Sequence, residues 1–278
     1  MATTTANADL LGVFLKDRRA KLDPAALGFT TARRRTPGLR REEVAQRASI
    51  SATWYTWLEQ GRGGAPSAEV LERIAQALML TDAEREHLFL LALGRSPDVR
   101  YVEDDSVTPR LQRVLDAFAI SPAFVKTPLW DIVAWNRAAT MVLTDYGKLP
   151  PERRNVLRLI FQDSYVREAQ FDWEGVARFV VAAFRADVAR AGVASKAEGL
   201  VAELCSSSAD FEAMWRSNDV RGYGAGLKRL RHHALGPMSF EYSSFIVDGR
   251  PDLSLVVYNP ATPEDADRLT TLMRNTPL

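Results

Sequence analysis

The spacing of apolar positions divides the chain in two. Through residue 93 apolar side chains recur every three or four positions, the period of helices packed on one side. The pattern predicts helices at 10–22, with Leu11, Phe14, Leu15 and Leu22 inward, and at 41–48, 51–60, 67–78 and 81–93. Ser51 and Ser67 are N-caps, Thr81 with Glu84 makes a capping box, and Gly61 and Gly94 stand where helices close. Five helices make residues 1–94 an all-α domain. The stretch 95–108, RSPDVRYVEDDSVT, has no periodicity and reads as a linker. From 109 the pattern mixes. Helices are expected at 109–118, 136–143, 152–161, 174–190, 195–205 and 262–273, and strands at 122–127, 130–135, 227–234, 238–247 and 253–258. Strands at both ends with helices between them make residues 109–278 an α+β domain, an antiparallel sheet with helices on one side.

Within the first half, 41–48 and 51–60 are two short helices joined by a tight turn, the form of a helix-turn-helix whose second helix lies in the major groove of DNA. Ala45 is small enough for the two helices to lie close. On the second helix Tyr55 and Leu58 share one face, flanked by Ser51 and Trp54. Ala52, Thr53, Thr56, Trp57 and Gln60 share the other at steps of about 100°. The first set should pack inward and the second meet the groove, with Ala52, Thr53 and Thr56 nearest the bases. An ordinary amphipathic hairpin satisfies the same arithmetic, so the surroundings matter.

Charge supplies them. The chain's net charge is +1, but residues 1–66 hold eleven Lys/Arg against six Asp/Glu, whereas 67–108 hold four against nine. The segment GFTTARRRTPGLR carries Arg33, Arg34, Arg35 and Arg40 without an acid. Such a loop is too polar to pack. Beside a groove-reading helix it is expected to track phosphates together with Arg41 and Arg62; its bland alternative is a solvated charge run.

Other chemistry finds little support. Cys205 is the only cysteine, so no intrachain disulfide forms, and its helical register with Ala197, Leu200, Val201 and Leu204 makes it a core residue. No apolar run reaches membrane-spanning length and MATTTANADL lacks a signal-peptide core, so a cytoplasmic protein without membrane partners is expected. His232 and His233 are adjacent on a predicted strand, so their side chains should point to opposite faces and share no metal. No phosphate loop, dinucleotide fingerprint, nucleophile elbow or Cys-x-x-Cys occurs, and the chain is expected to be neither an enzyme nor a holder of metal or cofactor.

From Phe14 to Leu93 the sequence resembles the XRE-type helix-turn-helix of the repressor–Cro superfamily. The Arg-rich loop, PGLRREEVA, the pair Trp54-Tyr55 and LEQGR together resemble the MmyB-like transcriptional regulators. WDIVAWN at 130–136, WRSNDV at 215–220 and LSLVVY at 253–258 resemble the same family's PAS-like sensor domain, so the likeness covers nearly the whole chain. It implies that Glu59 pairs with Arg19 behind the reading surface. The position of Trp57 is often basic in the family, and this chain departs from the pattern there. The resemblance further implies a fatty-acid-like ligand, whose carboxylate Arg or His side chains could anchor.

Two readings of the second domain stay open. In the first it senses an apolar small molecule, with Trp130, Trp135, Phe161, Phe179, Phe184 and Trp215 as candidate lining. In the second those aromatics are core, and the domain is only a dimerisation or protein-interaction module. Either way the chain is expected to be a sequence-specific transcriptional regulator that binds a double-stranded operator as a homodimer on paired half-sites.

Overall fold

The computed structural model describes residues 2–30, 34, 37–62, 64–97, 107–221 and 225–276. Arg33, Arg35 and most of the stretch read as a linker lie outside the described residues. The chain divides into two compact units, Met1–Pro97 and Asp98–Leu278.

The first unit is built of five α-helices: α1 (Ala2–Ala20), α2 (Arg41–Arg47), α3 (Ala52–Glu59), α4 (Ala68–Ala77) and α5 (Asp82–Leu93). α1 begins well before the predicted start at residue 10, because ATTTANAD has no apolar period to betray a helix. Leu11, Leu15, Val44, Ala45, Tyr55, Leu58, Leu71, Ile74, Leu88 and Phe89 are buried in one core. Between α2 and α3 the chain reverses on Ser49, at φ +53°, and the Ile50 amide donates to the Ala45 carbonyl at 2.9 Å. Ser51 then caps α3, its hydroxyl accepting from the Trp54 amide. At the far end Gly61, at φ +71°, lets the Arg62 amide donate back to the Trp57 carbonyl at 2.8 Å, which stops the helix abruptly.

Two features lock α1 onto this pair. Gly12 lies against the end of α3, where an added Cβ would stand 2.4 Å from the Glu59 carbonyl oxygen. About two turns further on, Arg19 binds Glu59 through two nitrogens, at 2.6 and 3.2 Å, and donates to the Leu39 carbonyl at 2.6 Å. Arg41 of α2 donates to the second Glu59 oxygen at 2.7 Å. The Glu59 side chain is 1% exposed, and the two guanidinium groups hold its carboxyl below the usual range although burial pushes it up.

The second unit runs α6 (Pro109–Asp116), β1 (Ala123–Lys126), β2 (Ile132–Trp135), α7 (Arg137–Val142), α8 (Val156–Gln162), α9 (Ser164–Ala169), α10 (Trp173–Arg190), α11 (Ala194–Ser207), α12 (Ala209–Arg216), β3 (Ala225–His232), β4 (Gly236–Val247), β5 (Arg250–Pro260) and α13 (Pro263–Asn275). The strands form one antiparallel sheet in the order β2-β1-β5-β4-β3. Helices cover both of its faces, not one as the sequence pattern implied. Phe124, Leu230, Phe240, Val256 and Tyr258 pack beneath α7, α8 and α13. Ala123, Val125, Leu253, Leu255 and Val257 pack on Leu115 of α6. The uninterrupted apolar run of β5 is the sequence's trace of this double burial. A further cluster lies among α8, α10, α11 and α12.

Two polar residues seat the sheet. Asn136 is 2% exposed. Its oxygen accepts from the Ala123 and Ala139 amides, and its nitrogen donates to the carbonyls of Leu115, Phe118 and Ser121. That one side chain ties β1, α6 and α7 together. Trp130 is not the first residue of a strand but part of the β1–β2 turn, at φ +65°. Its indole nitrogen donates to Asp187 of α10 at 2.9 Å, and Lys126 binds the same carboxylate oxygen at 2.7 Å.

Two variants test the α1–α3 contact. Gly12→Ala should destabilise the first unit by about 1–3 kcal/mol, since the new methyl meets backbone rather than a yielding side chain. Gly199→Ala on α11, where nothing lies within 4 Å, should leave stability equal or raise it by up to ~1 kcal/mol. Glu59→Gln leaves Arg19, 7% exposed, without its counter-charge and should cost roughly 3–5 kcal/mol. Arg41→Ala, at a half-exposed partner, should cost about 1 kcal/mol or less. Urea unfolding of the full-length variants reads all four, and equal losses for Glu59→Gln and Arg41→Ala would contradict this ordering.

Candidate functional site

The first candidate surface is the outward side of α3. Tyr55 and Leu58 are buried at 0% and 2%, while Ser51, Ala52, Thr53, Trp57 and Gln60 are exposed and Thr56 is half-buried. The helix therefore presents the face that its spacing assigns to solvent. Its chemistry is short and mostly uncharged. The Thr56 hydroxyl donates back to the Ala52 carbonyl at 2.8 Å, which leaves that hydroxyl only acceptor capacity. Trp57, half-exposed, supplies the largest apolar area on the face.

The arginines grouped in the sequence have separate jobs. Arg34 does not stand ready for phosphate. It binds both oxygens of Glu43, at 3.0 and 2.7 Å, and donates to the carbonyls of Thr30 and Gly38, so it closes the loop on α2. Arg41 is partly engaged with Glu59 but keeps 41% of its side chain exposed. Arg40 is exposed, with Glu42 3.9 Å away. Arg62 is exposed just beyond the end of α3, held there by its own amide's bond to Trp57. The structure thus brings Arg40, Arg41 and Arg62 to the margins of the pair α2–α3.

The second candidate is a cleft in the other unit, between the sheet face of Phe124, Ile132, Leu230 and Tyr258 and the helices α7–α9. The cleft is partly open to solvent and has a cavity volume of about 60 Å³. Val142, Tyr146, Leu159 and Ile160 make its helical wall. None of the six aromatics expected to line a pocket is among the residues that line this cleft. Trp130, Phe161, Phe184 and Trp215 pack among the helices, with Phe161 and Phe184 each edge-on to a neighbouring ring. Phe179 packs against that cluster and stands 5.9 Å from the Tyr242 ring. Trp135 comes nearest, touching Tyr146 from outside the cleft.

The cleft's polar groups were not singled out in the sequence. Lys228 enters from β3, and burial alone lowers its ammonium to about 8. Among the described residues no carboxylate pairs with it; its neighbour is the Tyr258 ring at 5.1 Å. Arg231 is exposed at the rim, 5.0 Å from the Phe171 ring. Gln170 follows α9, its amide nitrogen bonded to the Val166 carbonyl at 3.2 Å and its oxygen buried without a donor. An apolar slot with one unpaired cation suits a molecule with an apolar body and an anionic head.

The two histidines depart from the opposed placement expected of them. β3 ends at His232, so His233 escapes the strand's alternation and the two rings lie 4.4 Å apart. His232 is nonetheless structural. Its Nε2 bonds the Met141 carbonyl and its Nδ1 accepts from the Ala234 and Leu235 amides, while burial lowers its pKa. His233 meets the Tyr165 hydroxyl at 3.3 Å. Among the described residues no cluster of three or more His, Cys, Asp or Glu could hold a metal ion, and no helix is long and apolar enough to cross a membrane.

Comparison with known families assigns both units. The family model described as a helix-turn-helix domain matches residues 10–88, and the one described as the MmyB-like transcription regulator ligand binding domain matches residues 107–272. No curated protein matches the chain. The second family match spans more than half of the 278 residues and contains the cleft, while the first contains α2 and α3. The chain belongs to the MmyB-like transcription regulators, a DNA-binding helix-turn-helix unit followed by a ligand-binding unit.

Proposed function

We propose that this regulator binds a duplex operator as a homodimer and that an apolar monocarboxylate of fatty-acid type, held in the cleft, sets the fraction of DNA-competent dimer. α3 enters the major groove, with Ala52, Thr53 and Thr56 at the base edges and Trp57 covering sugar or a thymine methyl. Arg40, Arg41 and Arg62 contact phosphates, and Arg33 and Arg35 of the same segment are assigned that role by their charge. The ligand's tail lies along Phe124, Leu159 and Ile160, with its carboxylate on Lys228 and Arg231 completing the rim.

The observation that carries the ligand half is Lys228, a partly buried cation lining an apolar slot without a counter-charge among the described residues. Burying a lone ammonium costs free energy, and a carboxylate that fills the slot removes that cost. A second reading has its own support. Leu227 of β3 and Phe245 of β4 fall on the same face of the sheet by register and are more than half exposed, an apolar surface that a protein partner or second subunit would cover. Native mass spectrometry of gently purified full-length chain separates the two. A lipid-sized adduct lost on denaturation supports the sensor, and an adduct-free dimer that no fatty acid stabilises supports the interaction module alone.

Three outcomes are expected in solution. Thr53→Ala should shrink the preference for operator over random DNA by ~5-fold or more with unchanged melting, whereas Arg62→Ala should weaken both equally and lower the salt slope by about 1. Reversed effects would remove α3 from the groove. For the ligand, burial lowers the Lys228 ammonium from the ordinary lysine value of 10.5 to about 8, so the charge is half lost there. Dodecanoate affinity should therefore hold steady from pH 6 to 7.5 and then fall, up to ~10-fold per pH unit, until the raised pKa of the complex is reached. Lys228→Met should abolish this dependence. A flat profile in the unaltered protein would place the carboxylate elsewhere.

A further inference from the structure

The cleft holds a second unmet polar group whose place narrows the ligand class, on the reading of that cleft as a carboxylate-binding site. The Gln170 side-chain oxygen is fully buried and has no donor among the described residues. Its orientation is settled by the other end of the same amide, which spends its nitrogen on the Val166 carbonyl at 3.2 Å. A buried acceptor without a donor is uncommon and costly. It marks either strain or a partner still to arrive.

The backbone puts this acceptor near the cation. Gln170 forms an antiparallel bridge with Leu230, so the two residues lie one strand spacing apart, about 4.8 Å. Lys228 stands two positions before Leu230 on β3, on the same face of the sheet and roughly 6.7 Å along it. Both Gln170 and Lys228 line the cleft, and both reach it beside Leu230, whereas the remainder of the wall is chiefly aliphatic and aromatic. An anionic head on Lys228 therefore brings the next few ligand atoms past the Gln170 oxygen.

We infer that the cleft selects carboxylic acids that carry a hydroxyl within two or three carbons of the carboxylate, the hydroxyl donating to the Gln170 oxygen. An unsubstituted acid would fill the same slot, expel the solvent and leave that oxygen buried without a donor. The hydroxy acid avoids this loss. A site built to hydrogen-bond a ligand hydroxyl discriminates against the analogue lacking it far more strongly than an apolar wall discriminates by shape.

Calorimetric titration of the full-length protein with dodecanoate, 2-hydroxydodecanoate and 3-hydroxydodecanoate tests this. At least one hydroxy acid should bind about tenfold or more tightly than dodecanoate. In Gln170→Met, which keeps the length but lacks the acceptor, the three should bind within about twofold of one another, with dodecanoate as tight as in the unaltered protein or tighter. Retained dodecanoate binding shows that the variant is folded, and the comparison in the unaltered protein stands without it. If all three acids bind the unaltered protein equally, the hydroxyl selection is wrong and the carboxylate site survives. If none binds, the cleft is not a carboxylate site and this inference goes with it.

Discussion

The carboxylate of Glu59 is the point on which the DNA-binding unit depends. It sits at the end of α3 and is satisfied by Arg19 of α1 and Arg41 of α2, while Arg19 also takes the Leu39 carbonyl. Three segments, α1, α3 and the stretch from Leu39 into α2, are thereby joined around one charge. Because Glu59 and Arg19 are both shut off from water, each needs the other, whereas Arg41 stays partly in solvent and adds less. The geometry serves reading as well as stability. Arg19 and Glu59 lie behind α3, so the outward face keeps residues with no packing duty. Gly12 permits the approach that brings these charges together, and Gly38 permits the loop to return, since a Cβ there would meet the Arg19 carbonyl at 2.3 Å.

Much of this unit was legible in the sequence because its helices obey one period and one inward side. Val44, Ala45 and Ala48, then Tyr55 and Leu58, announce their own burial. The arginines did not announce their roles, since charge does not say which carboxylate lies within reach. Arg34 looked like its neighbours in the basic loop, yet the fold folds it back onto Glu43. The start of α1 was illegible for another reason: ATTTANAD carries no apolar period to reveal a helix.

In the second unit the sheet was legible and its coverage was not. WDIVAWN and LSLVVY read as strands, but whether one face or both are buried depends on where α6 lies, and that is a matter of topology. The cleft failed to show for a sharper reason. In the β3 sequence LKRLRH, Leu227 and Leu230 are three apart and must face opposite sides of the sheet, so alternation alone leaves the inward set undecided. If Leu227 faced inward, Lys228 would be an ordinary solvated lysine. The register with β4 decides it: Lys228 lies opposite Phe240, and Leu230 opposite Met238, both buried. The aromatics were misleading because large rings serve a helical core as readily as a pocket.

Two lysines of the same unit share a lowered pKa in different surroundings. Lys126 and Lys228 both have an ammonium lowered to about 8 by burial. Lys126 lies 2.7 Å from Asp187 and 4.1 Å from the centre of the Trp130 ring, so its charge is met within the chain and it anchors the β1–β2 turn to α10. A ligand has nothing to add there. Lys228 faces only the Tyr258 ring and the slot, and burial is not opposed by any acid. Burial thus disfavours the charged form of Lys228, and an anion entering the slot would offset that cost. That cost links occupancy of the cleft to the stability of the sheet edge: whatever pairs with Lys228 favours the folded β3–β4 arrangement by mass action, in proportion to how much better it binds that arrangement than an opened one. The coupling requires no mobile wire between distant parts. β3 is an edge strand, paired along its length with β4 and on its other side only through the bridge of Leu230 to Gln170 among the described residues, with Leu227 facing outward.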